Sequence, residues 1–93
     1  MIICSCMVEI VLYEANSLKD KRQIIKSLIG RIQSRFNVSI AEVDMNDLWR
    51  RSVIGFACVS KTSKHASQMV DHIIEFVEGD TRVEIIKCDR EIL

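Results

Sequence analysis

The chain has 93 residues, 48% of them hydrophobic and 28% charged, and its thirteen basic residues are balanced by thirteen acidic ones. That length supports one hydrophobic core and not two, and a net charge of zero gives no whole-molecule pull towards nucleic acid or membrane. No apolar run approaches the roughly 20 residues needed to cross a bilayer, so any function carried by charge has to lie in how the charge is distributed.

The opening run MIICSCMVEIVLY alternates with period two. Cys4, Cys6, Val8, Ile10 and Leu12 form an apolar face, and Ile3, Ser5, Met7, Glu9, Val11 and Tyr13 a mixed one. The pattern predicts a central strand over residues 2 to 13 with one face on the core. The run lacks a basic start and is broken by Glu9, so it does not read as an export signal. A cytoplasmic protein with reduced thiols is expected.

Ser17 then reads as an N-cap, with Asp20 three residues later as a weaker relative of the capping box. Leu18, Ile24, Ile25, Leu28, Ile29, Ile32 and Phe36 recur at spacings of three and four, which predicts an amphipathic helix over residues 18 to 36. Gly30 falls away from that stripe. NVSIAEVD and RSVIGFACVS follow as two strands joined by the short MNDLWR, a spacing that suggests an antiparallel pair. Ala66, Met69, Val70, Ile73, Ile74 and Val77 predict a second helix over residues 62 to 78, stopped by Gly79, and RVEIIKCD a last strand.

The resulting order, β-α-β-β-α-β over residues 1 to 93, is that of an α+β ferredoxin-like domain. Right-handed crossovers place both helices on one face of a four-stranded antiparallel sheet and leave the other face open. Ile3, Met7, Val11, Val53, Val59, Val83 and Ile85 are expected on the open face. An apolar face of that kind usually meets a partner, and a homodimer through it is expected.

Several motifs invite chemistry and are set against plainer readings. Four cysteines could converge on a metal, but C-x-C on a strand leaves its side chains parallel and about 7 Å apart, and free cysteine is among the most buried residue types. Core thiols and no metal are expected. GFACV resembles part of an RNA-recognition strand signature, yet the first strand offers Met7 and Glu9 where a second stacking aromatic belongs, which makes Phe56 a core residue. DMNDLW lacks the glycine and the bidentate glutamate of a calcium loop. His65 and His72 lie about 10 Å apart along one polar helix line, too far to share a metal. No nucleophile, base and orienting group come together, so neither an enzyme nor a cofactor is expected.

The first helix carries the strongest signal. Between residues 17 and 36 stand six cations and one anion, Asp20, whereas residues 71 to 91 hold seven anions and three cations. Lys19, Lys21 and Arg22 crowd the first turns, where the helix dipole disfavours positive charge. Lys19, Arg22 and Lys26 fall on one flank of the apolar stripe; Lys21, Arg31 and Arg35 fall on the other. Either these cations pair with acidic residues of the second helix or of another subunit, or they form an anion site at a helix N-terminus. Arg50 and Arg51 could extend a basic surface. Trp49 beside them more often caps the end of a core than stacks on a ligand.

SLKDKR, RFNVSIAEVD, DLWRR followed by IG, and the terminal REIL together resemble the YlxP-like family, small bacterial proteins with no established biochemical function. The resemblance spans nearly the whole chain and implies the same fold. Genes of that family often neighbour those for translation initiation factor two and ribosome-binding factor A, which implies a role in translation or ribosome maturation. The matching positions are Ser17 to Arg22, Arg35 to Asp44 and Asp47 to Arg51, and no catalytic assignment comes with them. The cysteine-rich first strand departs from the family's more usual aliphatic run. With the resemblance added, the preferred expectation is a non-enzymatic accessory protein that binds phosphates of ribosomal RNA or the small ribosomal subunit. Lys19, Lys21, Arg22, Lys26, Arg31, Arg35, Arg50 and Arg51 are its candidate contacts. The alternative is a homo-oligomeric interaction module with no nucleic-acid role.

Overall fold

A computed structural model describes residues 1–93. It runs β1 (Ile2–Val11), α1 (Leu18–Arg35), β2 (Ser39–Asp44), β3 (Arg51–Ser60), α2 (Ser63–Glu78) and β4 (Glu84–Ile92). The strands form one sheet in the order β2-β3-β1-β4 with every neighbouring pair antiparallel, the ferredoxin-like arrangement. The two longest strands, β1 and β3, thus take the centre and β2 and β4 the edges.

The core forms where the strict alternation of β1 meets the two helical stripes. Cys4, Cys6, Val8, Ile10 and Leu12 are all buried, as are Ile54, Phe56 and Cys58 on β3. α1 lies against β2 and contributes Ile25, Leu28 and Ile32; α2 lies against β1, β3 and β4 and contributes Ala66, Val70, Ile73 and Val77. Phe56 is therefore core, as its phase suggested.

The helix ends differ slightly from expectation. α1 stops at Arg35, because Phe36 turns extended (φ −128°) to set its ring edge-on to Phe76, with centroids 6.0 Å apart. α2 starts on Thr62, whose Oγ1 accepts from His65 N. It ends at Gly79 in a right-handed conformation, φ −76°, so the left-handed freedom of glycine is not used there.

Two β-bulges reset side-chain phase on the edge strands. On β4, Glu9 pairs with Lys87 but Ile10 with Ile85, so Ile86 is the extra residue. Val83 and Ile85 consequently pack on the helix-covered side and not on the open face, a correction to the simple alternation. Cys88, expected in the core, is exposed as a residue because this edge of the sheet is only partly covered, although its thiol lies 3.4 Å from that of buried Cys6.

Burial and the neighbouring Cys88 thiol push the Cys6 thiol up from an ordinary 9.0 to about 12. The folded state thus holds this proton more tightly than the unfolded chain does. The stabilisation is complete below pH 9.0 and declines as pH rises towards about 12. Urea midpoints measured over that interval are expected to fall with a gentler slope in Cys6→Val than in the parent; identical slopes would show that Cys6 does not drive the decline.

Candidate nucleic-acid interface

The α1 N-terminus is closed by its own sequence. Ser17 Oγ accepts from Asp20 N at 3.0 Å, and the Asp20 carboxylate accepts from Asn16 N at 3.1 Å. The local donors and the dipole are thereby partly satisfied from within the chain. An anion site built on the bare helix terminus is not what this geometry offers, and the solvent face of the helix remains.

The eight candidate cations separate into five groups. Lys19, Arg22 and Lys26 are exposed on one flank of α1 and no carboxylate pairs with any of them. They span about 10 Å of the helix axis. Beyond Lys26 the flank continues as a shallow groove lined by Gln23, Lys26, Ser27, Gly30, Arg31 and Ser34, open above Gly30, where an added Cβ would meet nothing within 4 Å. At the far end Arg31 and Arg35 lie over the Phe76 ring, 5.3 and 5.0 Å from its centroid. Arg50 sits at the opposite end, where its Nε donates to Ala15 O at 3.0 Å just ahead of the helix.

The other two candidates lie elsewhere. Arg51 pairs with Glu9 at 2.6 Å across β3 and β1 on the open side of the sheet, away from α1. Lys21 is turned inward and only 1% exposed. Its Nζ meets Glu42 Oε2 at 2.9 Å and donates to Met45 O at 2.6 Å and Asn46 O at 3.3 Å. Ser52 Oγ donates to the same glutamate oxygen at 2.5 Å. Lys21 therefore ties α1 to β2 and to the turn after it and cannot face a phosphate in solution. A signal for this lay in the spacing: positions 21, 25, 28 and 32 follow one stripe, and the other three are buried Ile25, Leu28 and Ile32.

The acidic segment does not neutralise α1. Asp71 accepts from Arg90 at 2.7 Å, and Asp80 holds Arg82 in a two-pronged pair with contacts of 2.9 and 2.6 Å. The Arg82 guanidinium keeps the Asp80 carboxyl below the usual carboxylate range. Only Arg31 reaches across from α1, to Asp80 at a loose 3.8 Å. Sequence reasoning had not singled out the Asp80–Arg82 clasp, although the two residues are only two apart.

His65 and His72 are exposed on α2, and no three His, Cys, Asp or Glu side chains converge in a way that could hold a metal ion. Trp49, expected to cap the core, is instead half-exposed beside Leu48 in the β2–β3 connection. No helix is long and apolar enough to cross a membrane.

Over residues 3–90 the chain matches the family described as Protein of unknown function (DUF503). It belongs to the DUF503 family. It is also 34% identical over 81 residues to the uncharacterized protein YlxP of Bacillus subtilis (strain 168), a match covering 87% of this chain and 84% of that relative. The YlxP-like resemblance carried by SLKDKR and the later motifs is thus upheld. In this DUF503 chain that run contains two kinds of cation: Lys19 and Arg22 face water, while Lys21 between them is structural.

Proposed function

We propose that this DUF503 protein is a non-enzymatic accessory protein of translation or ribosome maturation that contacts RNA phosphates through the solvent face of α1. The observation that carries the reading is the trio Lys19, Arg22 and Lys26, exposed, without carboxylate partners and aligned on one flank. Arg50 extends this face at one end, and Arg31 and Arg35 extend it at the other. Contacts of this type fix position on RNA without reading its sequence.

The test is co-sedimentation with small ribosomal subunits, the RNA surface towards which the family resemblance points, at about 50 and about 200 mM salt. Binding that weakens steeply between the two supports the reading. Binding that ignores salt, or none at either concentration, overturns it.

The open sheet face supports a second reading. Met7, Val43 and Val59 are each at least half-exposed there, with exposures of 50%, 51% and 59%, around partly buried Ile3, Val11 and Val53. A homodimer through this face would cover them. Sedimentation equilibrium at high micromolar concentration is expected to return a dimer mass that reverts to a monomer in Met7→Lys, Val59→Lys; a monomeric parent excludes this reading.

A further inference from the structure

The connection between β2 and β3, residues 45–50, leaves Leu48 49% and Trp49 52% exposed, yet it is firmly held. Lys21 grips it from beneath through Met45 O and Asn46 O at 2.6 and 3.3 Å. Leu48 N donates to Met45 O at 3.2 Å, Leu12 N donates to Arg50 O at 2.9 Å, and Arg50 Nε donates to Ala15 O. Leu48 and Trp49 are thus bracketed by anchors on both sides.

This arrangement is expensive for the fold. A lysine is desolvated to hold the turn, and Met45 takes φ 59°, a left-handed conformation that side chains other than glycine rarely adopt. An indole left half in water forgoes much of the stabilisation that its burial would give. Both costs fix the place where the chain's one tryptophan is presented to solvent. Rigidity of this sort lowers the entropy lost when a ligand stacks on the ring.

The anchors also locate the connection. Apart from the Leu48–Met45 bond inside the turn, they run to residues 12–16 or to Lys21 in the first turns of α1, the end of the molecule that carries Lys19, Arg22 and Arg50. At the end of β2, Asp44 accepts from Met45 N at 2.7 Å, and within the connection Asp47 is exposed. Asp47 disfavours phosphate at the tip of the loop, while Arg50 at its end and α1 attract it. What the loop offers a nucleotide is therefore a surface for its base.

We propose that Trp49, flanked by Leu48, is a stacking platform for an unpaired base of a single-stranded RNA whose phosphates lie on Lys19, Arg22 and Lys26. This rests on the phosphate-binding reading and adds to it the part of RNA that is recognised. Stacking on an aromatic ring tolerates every base, so it confers preference for single strands and not for a sequence.

With one tryptophan, emission excited at wavelengths that Tyr13 does not absorb reports on this site alone. The probes are a labelled oligoadenylate, read by anisotropy, and inorganic polyphosphate, which has charge but no base. Oligoadenylate is expected to bind and quench Trp49 emission. Trp49→Ala, checked for folding by circular dichroism, is expected to weaken oligoadenylate binding roughly tenfold to a hundredfold and to leave polyphosphate binding unchanged, with Trp49→Phe between parent and alanine. If both probes bind but oligoadenylate neither quenches nor senses the substitution, stacking is overturned while phosphate binding by α1 stands. Equal loss of both probes in Trp49→Ala also overturns it, since stacking cannot act on a ligand without a base. If neither probe binds the parent protein, both readings fall.

Discussion

Lys21→Met is expected to lower the unfolding free energy by about 3 kcal/mol, a larger effect than that of any other lysine in the chain. Methionine keeps the apolar stem and removes the ammonium group. The carboxylate of Glu42, only 16% exposed, then loses its counter-charge and keeps only the Ser52 hydroxyl, Asn46 O loses the ammonium donor, and Met45 O is left with Leu48 N alone. Breaking one side of a buried pair costs more than the pair itself contributes, because the remaining charge stays desolvated. Urea unfolding measures this directly, with Lys19→Met as the solvent-exposed comparison, expected within about 0.5 kcal/mol of the parent. The double variant Lys21→Met, Glu42→Gln should recover part of the loss, since no unpaired charge remains. If Lys21→Met is as stable as the parent, the ammonium group is not what holds the turn after β2 in place.

The second large effect concerns binding. Reversing Lys19, Arg22 and Lys26 to glutamate is expected to weaken RNA binding on the order of a hundredfold at about 50 mM salt and to lower the steepness of its logarithmic salt dependence by about 2, as the loss of three contacts to a single strand predicts. The variant should fold normally. None of the three side chains has a carboxylate partner to lose, and acidic groups in the early turns of α1 suit the helix dipole better than the cations they replace. Lys64→Glu, exposed at the start of α2, is the matched control and should change little. If the control weakens binding as much as the triple reversal, the attraction is diffuse and α1 is not the contact surface.

These two expectations divide a run that looks uniform in sequence. SLKDKR offers three cations in four positions, and nothing in their chemistry says that the middle one is spoken for. The spacing of Lys21 to Ile25, Leu28 and Ile32 places it on the buried stripe. That becomes meaningful only once β2 brings Glu42 and the turn after β2 brings two carbonyls to the same point. A lysine on an apolar stripe deserves to be read as a buried anchor whenever a distant carboxylate can reach it.

The sequence by itself determined the element order, the central position of β1, the core face running from Cys4 to Leu12 and the helical stripes. These are periodic properties, and periodicity is set by backbone geometry that each segment carries locally. The family was legible for a related reason, since short runs such as SLKDKR are read from the chain without the fold. The tertiary structure alone decided which cations remain free, because Glu9, Glu42 and Asp80 reach theirs across the fold or through the turn after α2. It also decided the phase of β4. One extra residue at Ile86 moves Val83 and Ile85 from the open face to the covered one, and a bulge is defined by the partner strand and not by the strand that contains it. The exposure of Trp49 belongs with these: the anchors that hold the ring in water come from residues 12–16 and from Lys21, far away in the chain and adjacent only after folding.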